Sequence, residues 1–323
     1  MISTRLTELL DIQHPIISAP MASAAGGALA AAVSNAGCLG LIGGAYPNPD
    51  WIEQEFGAAG NAPVGCGFIT WNLAEALKEQ PDILDKVLAR SPKAMFLSFG
   101  DPGPYAEKIH QAGSVLICQV QNMDHAKQAL DAGAQVIVAQ GAEAGGHGRR
   151  RATMTLVPEV ADHLAAHAPD VVLCAAGGIA DGRGLAAALM LGAEGVVIGS
   201  RLWASEEALV HPNMHKAALA ADGDDTIRSS VMDIARKLNW PDGYTARVLK
   251  NAFTDKWHNN LPGLLADAEA ESARWMAAWQ SGDATTANTF VGEVAGLIND
   301  IRPAADIIES IVAEAQSRLQ AYA

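Results

Sequence analysis

The sequence predicts an α/β protein, a (β/α)8 TIM barrel with a helical insertion or second domain near the C-terminus. Three observations carry this expectation. Eight short apolar runs rich in Val and Ile recur through the first 200 or so residues, helical stretches separate them, and the rhythm stops after Ser200. Each run is near-continuously apolar, not alternating, as expected of strands covered on both faces in a parallel sheet. A doubly wound open sheet is the alternative architecture.

In chain order the runs are residues 15–19 (PIISA), 39–43 (LGLIG), 64–69 (VGCGFI) and 94–98 (AMFLS), then 115–120 (VLICQV), 136–140 (VIVAQ), 171–175 (VVLCA) and 196–199 (VVIG). The segments 27–36 (GALAAAVSNA), 123–132 (MDHAKQALDA) and 182–191 (GRGLAAALML) read as crossover helices. Gly37, Gly133 and Gly192 follow them and supply the left-handed residue that ends a helix before the next strand. From about His211 to Ala284 there is no buried-strand run, and the stretch holds four of the seven tryptophans, Trp240, Trp257, Trp275 and Trp279. It reads as helices whose tryptophans form its own core, placed to cover the barrel mouth. Residues 301–322 carry Ile307, Ile308, Ile311, Val312 and Leu319 at helical spacing and predict a helix that returns to close the barrel. The expected division is a barrel of residues 1–210 completed by 286–323, and a helical substrate-side domain of residues 211–285.

Composition narrows the function classes. The chain of 323 residues carries 22 basic against 36 acidic side chains, a net charge of -14, which repels nucleic acid and anionic membrane surfaces. No apolar stretch is long enough to span a bilayer, and Arg5, Glu8 and Asp11 interrupt the N-terminal pattern, so a cytoplasmic protein is expected, with room for a homo-oligomer. Cys38, Cys66, Cys118 and Cys174 lie far apart, each in or beside an apolar run, and read as buried reduced thiols.

In such a barrel the chemistry sits at the carboxyl ends of the strands. Small and amide residues dominate these tips: Pro20-Met21-Ala22, Gly43-Gly44, Gln119, Gln140, Gly177-Gly178 and Gly199-Ser200. The last two pairs follow strands seven and eight, where barrels commonly seat a phosphate on backbone N–H donors; two tight turns are the plain alternative. After strand six, residues 141–148 (GAEAGGHG) set His147 among four glycines. So many glycines cost conformational entropy, which implies that something must approach this backbone, and His147 becomes the candidate catalytic residue. Glu143 and His147 are too few for a metal site, so no metal is expected. Arg149, Arg150 and Arg151 read as a solvated basic edge, and the remaining histidines as helix-surface or core residues.

Taken together, His14-Pro15-Ile16-Ile17 with Ala19-Pro20-Met21-Ala22, the stretches 31–40 (AAVSNAGCLG), 139–148 (AQGAEAGGHG) and 175–184 (AAGGIADGRG), and Ile198-Gly199-Ser200 resemble the nitronate monooxygenase family, the 2-nitropropane dioxygenases, over most of the chain. The resemblance implies an FMN-containing oxidoreductase that acts with O2 on a nitronate or nitroalkane, giving carbonyl compounds and nitrite. By position it implies that Ala19, Pro20 and Met21 line the flavin ring, that Gln119 and Gln140 contact its ribityl chain or ring, and that Gly145 and Gly146 border the cofactor. Gly177, Gly178, Gly199 and Ser200 would hold the FMN phosphate, and His147 would face the substrate. Relatives can carry Lys and Asp where this chain has Gln119 and Gln140. Flavin-dependent enoyl-ACP reductases share the EAGGH and AAGGIADG motifs, and some members of the superfamily are NADH:quinone reductases; these are the alternative enzymes. A barrel that binds FMN or another phosphate ligand without turnover is the non-enzyme alternative.

Overall fold

In the computed structural model, which describes residues 2–321, the eight runs form eight parallel strands. They are β1 (Ile16–Ser18), β2 (Leu41–Ala45), β3 (Gly65–Ile69), β4 (Ala94–Ser98), β5 (Val115–Val120), β6 (Val136–Gln140), β8 (Val172–Ala176) and β9 (Gly195–Ile198), where β7 (Gly146–Gly148) lies outside the barrel. Their order is β1-β9-β8-β6-β5-β4-β3-β2. The ring closes through a parallel bridge between Ile17 and Leu39, with the Ser18 N–H donating to the Leu39 carbonyl at 2.9 Å. The second strand begins two residues later than its apolar run, because Leu39 is taken up by that closing bridge.

Both faces of each strand are buried, which is why the runs do not alternate in polarity. Phe96, Ile117, Val136, Val138, Cys174 and Val197 point into the barrel, whereas Met95, Leu97, Leu116, Cys118, Ile137 and Ala139 pack under the outer helices. All four cysteines are free and buried, and burial pushes the Cys66 and Cys118 thiols up to about 12, so they serve as packing groups. A short helix, Arg5–Leu10, plugs the amino-terminal end of the barrel with Leu6 and Leu10, both fully buried. Truncation of Leu10 to Ala should cost about 2–5 kcal/mol of unfolding free energy, measured as a lowered urea midpoint with an unchanged slope.

The C-terminal helix, Ala304–Ala321, packs on the helices Gly182–Met190 and Gly27–Asn35 and so fills the eighth outer position. Tyr322, the expected end of this helix, lies outside the described residues. No described helix is long and apolar enough to cross a membrane.

The expectation that residues 211–284 contain no strand is corrected. Two strands, β10 (Thr226–Ser229) and β11 (Thr245–Leu249), pair antiparallel, and β11 pairs in turn with β7, Ala246 standing opposite His147. These strands are short and carry Arg228 and Arg247 at inward positions, so they show no apolar run. Around this sheet Phe253, Trp257, Leu264 and Trp275 form a second core, as expected for Trp257 and Trp275.

Candidate active site

The candidate catalytic and cofactor residues converge on one cavity of about 760 Å³, namely Ala19, Pro20, Met21, Gln119, Gln140, Gly145, Gly146, His147, Gly177, Gly178, Gly199 and Ser200, whereas Gly43 and Gly44 of the second strand are not part of its lining. It opens at the carboxyl ends of the barrel strands, and Met214, Arg236, Trp240, Trp275 and Phe290, from the chain after the last barrel strand, complete its wall. Its size falls within the range that holds a cofactor-sized ligand.

One end of the cavity presents unused hydrogen-bond donors. Gly177 and Gly178 have φ of +96° and +75°, and a Cβ on Gly177 would lie 2.9 Å from the Gly141 carbonyl oxygen, so the turn requires glycine. The backbone N–H groups of Gly178, Gly199 and Ser200 donate to no acceptor among the described residues. The Ser200 hydroxyl accepts from the Gly292 N–H at 2.9 Å, which leaves its own proton free to donate. A Cβ on Gly199 would touch only Ala19 and Met21, at 3.6 and 3.9 Å, so this wall is bare backbone facing open space. Unused N–H and O–H donors of this kind suit a phosphate group. At the opposite rim a Cβ on Gly67 would lie 2.4 Å from the Pro20 ring, so that glycine lets the Pro20-Met21 turn settle against the barrel mouth.

The acid–base end is centred on His147. It lies in β7 and not in an unstructured glycine loop: pairing with β11 fixes its backbone, and the Gln140 side-chain amide donates to the His147 carbonyl at 3.1 Å. Gln140 also accepts from Gln121 at 3.1 Å, so its amide is engaged mainly with protein, whereas Gln119 lines the cavity without a side-chain partner among the described residues. The His147 Nε2 lies 2.9 and 3.0 Å from the two oxygens of Asp233, which is 3% exposed. Trp240 stacks flat on the imidazole, ring centroids 3.5 Å apart at 6°, and Phe99 meets it edge-on. Burial pulls the His147 pKa below its ordinary value, with Arg236 and Arg228 adding to the fall and Asp233 opposing it. At neutral pH the imidazole is therefore uncharged and able to accept a proton.

Arg228 and Arg247 fix the segment that precedes His147. Arg228 donates to the Ala142 and Thr245 carbonyls at 3.2 and 2.8 Å, and Arg247 to the Ala142 carbonyl at 3.0 Å and to Glu293 at 2.6 Å. Burial, with Arg247 beside it, pushes Arg228 down to about 10, so it remains charged at neutral pH. Glu143 turns away from His147 and accepts from the Thr153 N–H and hydroxyl at 3.0 and 2.9 Å. Arg149 lies over the Tyr244 ring at 4.6 Å, and Arg151 pairs with Glu159 at 2.5 Å.

Sequence reasoning missed Asp233, Arg236, Tyr46 and Phe99, and placed Trp240 in a core when it lines the cavity. Trp240 donates to the Tyr46 hydroxyl at 3.2 Å while its ring covers His147, a position set by the turn between helix Val231–Ala235 and β11. The available signal for Asp233 was an acidic residue inside the apolar stretch Val231–Ala235.

Comparison with known proteins identifies the family. A family model described as nitronate monooxygenase matches residues 3–65 and 69–314. Nitronate monooxygenase of Neurospora crassa is 34% identical, the match covering 94% of this chain and 90% of that protein. A Rhodococcus jostii protein named (3aS,4S,5R,7aS)-5-hydroxy-7a-methyl-1-oxo-octahydro-1H-indene-4-carboxyl-CoA dehydrogenase is 30% identical over 98% of this chain and 97% of its own. Among solved structures, FabK from Thermotoga maritima superposes with a TM-score of 0.87 at 32% identity, covering all of both chains. Nitroalkane oxidase from Streptomyces ansochromogenes, at 23% identity over 99% of this chain and all of its own, shares the fold with a TM-score of 0.83. With the family model spanning nearly the whole length and the barrel and its cavity in place, this chain belongs to the nitronate monooxygenase family of flavin-dependent oxidoreductases.

Proposed function

We propose that the chain is an FMN-dependent monooxygenase that oxidises alkyl nitronates, and the parent nitroalkanes, with O2 to carbonyl compounds and nitrite. The observation that carries this reading is a buried, uncharged imidazole, His147, facing a cavity whose other end offers the free donors of Gly178, Gly199 and Ser200. Those donors would hold the FMN phosphate, with Ala19, Pro20 and Met21 against the ring. FMN bound there would supply the redox chemistry that no side chain can.

The side chains do the rest. A nitroalkane is a carbon acid, and His147 takes the proton from its α-carbon while the electron pair of the broken C–H bond passes into the nitro group. A nitronate arrives with that proton already gone. Trp240, Phe99 and Phe290 line the cavity with aromatic surface and limit water around the reacting carbon. Because burial lowers the pKa of His147, its base form persists on acidification to below about 6.5, the ordinary imidazole value, and the nitroalkane rate should fall only beneath that pH.

The EAGGH and AAGGIADG motifs, shared with enoyl-ACP reductases, and the 30% identity to a protein named as a carboxyl-CoA dehydrogenase favour a second reading, reduction or oxidation of an acyl thioester. Anaerobic mixing of the purified yellow protein with a nitronate, a nitroalkane, NADH or NADPH separates the two. Bleaching of the visible flavin band by the nitronate supports the monooxygenase, rapid bleaching by a nicotinamide alone supports a reductase, and bleaching by none overturns the monooxygenase and the reductase.

A further inference from the structure

We propose that Asp233 is a positioning residue that holds His147 in the Nε2–H form, so that Nδ1 is the ring nitrogen that takes up the substrate proton. This rests on the reading of His147 as the base and specifies which of its atoms acts. A carboxylate only accepts hydrogen bonds, and both Asp233 oxygens lie within 3.0 Å of the same nitrogen, Nε2. No other group among the described residues donates to this carboxylate, and it is 3% exposed, so an Nε2 without its proton would leave it buried and unpaired. That cost selects the Nε2–H tautomer of the neutral ring.

The other nitrogen is placed for the reaction. Nδ1 has no hydrogen-bond partner among the described residues and is not sealed from solvent, while His147 as a whole lines the cavity. The Trp240 stack on one face and the edge contact of Phe99 restrict ring rotation, so the two nitrogens keep their separate directions. In the step itself the substrate Cα–H bond breaks, an Nδ1–H bond forms, and the electron pair moves into the nitro group. The ring then carries a positive charge beside Asp233, which favours the charged form as it develops. The other charged groups that bear on His147 are Arg236, which caps the C-terminus of the helix that carries Asp233, and Arg228, on β10; both disfavour protonation.

Two measurements on the flavin-bearing protein test this. In protein labelled with 15N-histidine, at a pH where His147 is neutral, the signal absent from the His147→Asn spectrum should show Nε2 protonated and Nδ1 bare. Asp233→Asn should lower kcat/KM for a nitroalkane by roughly 100-fold. With only Arg236 and Arg228 left to act on the ring, the acid limb of the pH profile should also move to lower pH. The nitronate rate should fall by a smaller factor, and Asp233→Glu should recover part of the loss. An Nδ1–H tautomer overturns the proposal, as does an Asp233→Asn profile whose acid limb has not moved. If Asp233→Asn fails to fold, the tautomer of the unaltered protein decides alone. The two readings fail differently: an Nε2–H ring with equal losses on both substrates in His147→Asn removes the base, whereas an Nδ1–H ring with a selective nitroalkane loss keeps the base and removes the role of Asp233.

Discussion

His147→Asn should lower kcat/KM on a neutral nitroalkane by about 100-fold or more, the scale of a positioned general base, while the rate on the corresponding nitronate falls far less. The structure makes this variant a clean one. Asn keeps an N–H that can still face the buried Asp233 carboxylate, and the backbone is held by pairing to β11 and by Gln140, so the β7 strand should survive. The acid limb of the nitroalkane profile should vanish from the residual rate, because the group that titrates there is gone. The quantity that decides is the ratio of the two kcat/KM values. Equal losses on both substrates would assign His147 to binding, and no loss on either would make it a structural residue.

Gly199→Asp should purify colourless. The position tolerates a Cβ, since that atom would meet only Ala19 and Met21 at ordinary contact distance, so Gly199→Ala serves as the folded control. A carboxylate projected from the same site adds negative charge among donors arranged for a dianionic phosphate, and the effect on affinity should be near-complete. Removal of the Ser200 hydroxyl should be much milder, about one hydrogen bond or roughly 1 kcal/mol. Full FMN occupancy in a folded Gly199→Asp protein would show that the phosphate lies elsewhere.

The barrel was legible in the sequence because each of its strands is covered on both faces, so burial is written directly as unbroken runs such as VIVAQ and VLCAA. Gly177, Gly178, Gly199 and Ser200 were legible as candidates because they follow the strand-seven and strand-eight runs, and the structure brings all four to one cavity. The second sheet was not. Its strands hold Arg228 and Arg247, whose guanidinium groups are turned inward to satisfy the Ala142 carbonyl, and an inward arginine looks the same in sequence as a solvated one. Asp233 was hidden for a related reason: its partner lies 86 residues away, and no local periodicity reports such a pairing. Trp240 misled because its neighbours Trp257 and Trp275 are true core residues, and an aromatic ring over a cavity has the same composition as one inside a fold.

The pairing of β7 with β11 gives the catalytic end a dependence that the phosphate end does not share. Gly178, Gly199 and Ser200 follow barrel strands, whereas His147 is oriented by β11, a strand outside the barrel, with Ala246 opposite it. Successive side chains on a strand face opposite ways, so a slip of one residue between β7 and β11 would turn the imidazole away from Asp233 and the cavity. The register that aims the ring sets Thr245 opposite Gly148, Ala246 opposite His147 and Arg247 opposite Gly146. A change that shifts this register is expected to leave the Gly178, Gly199 and Ser200 donors in place while removing the proton acceptor from the cavity.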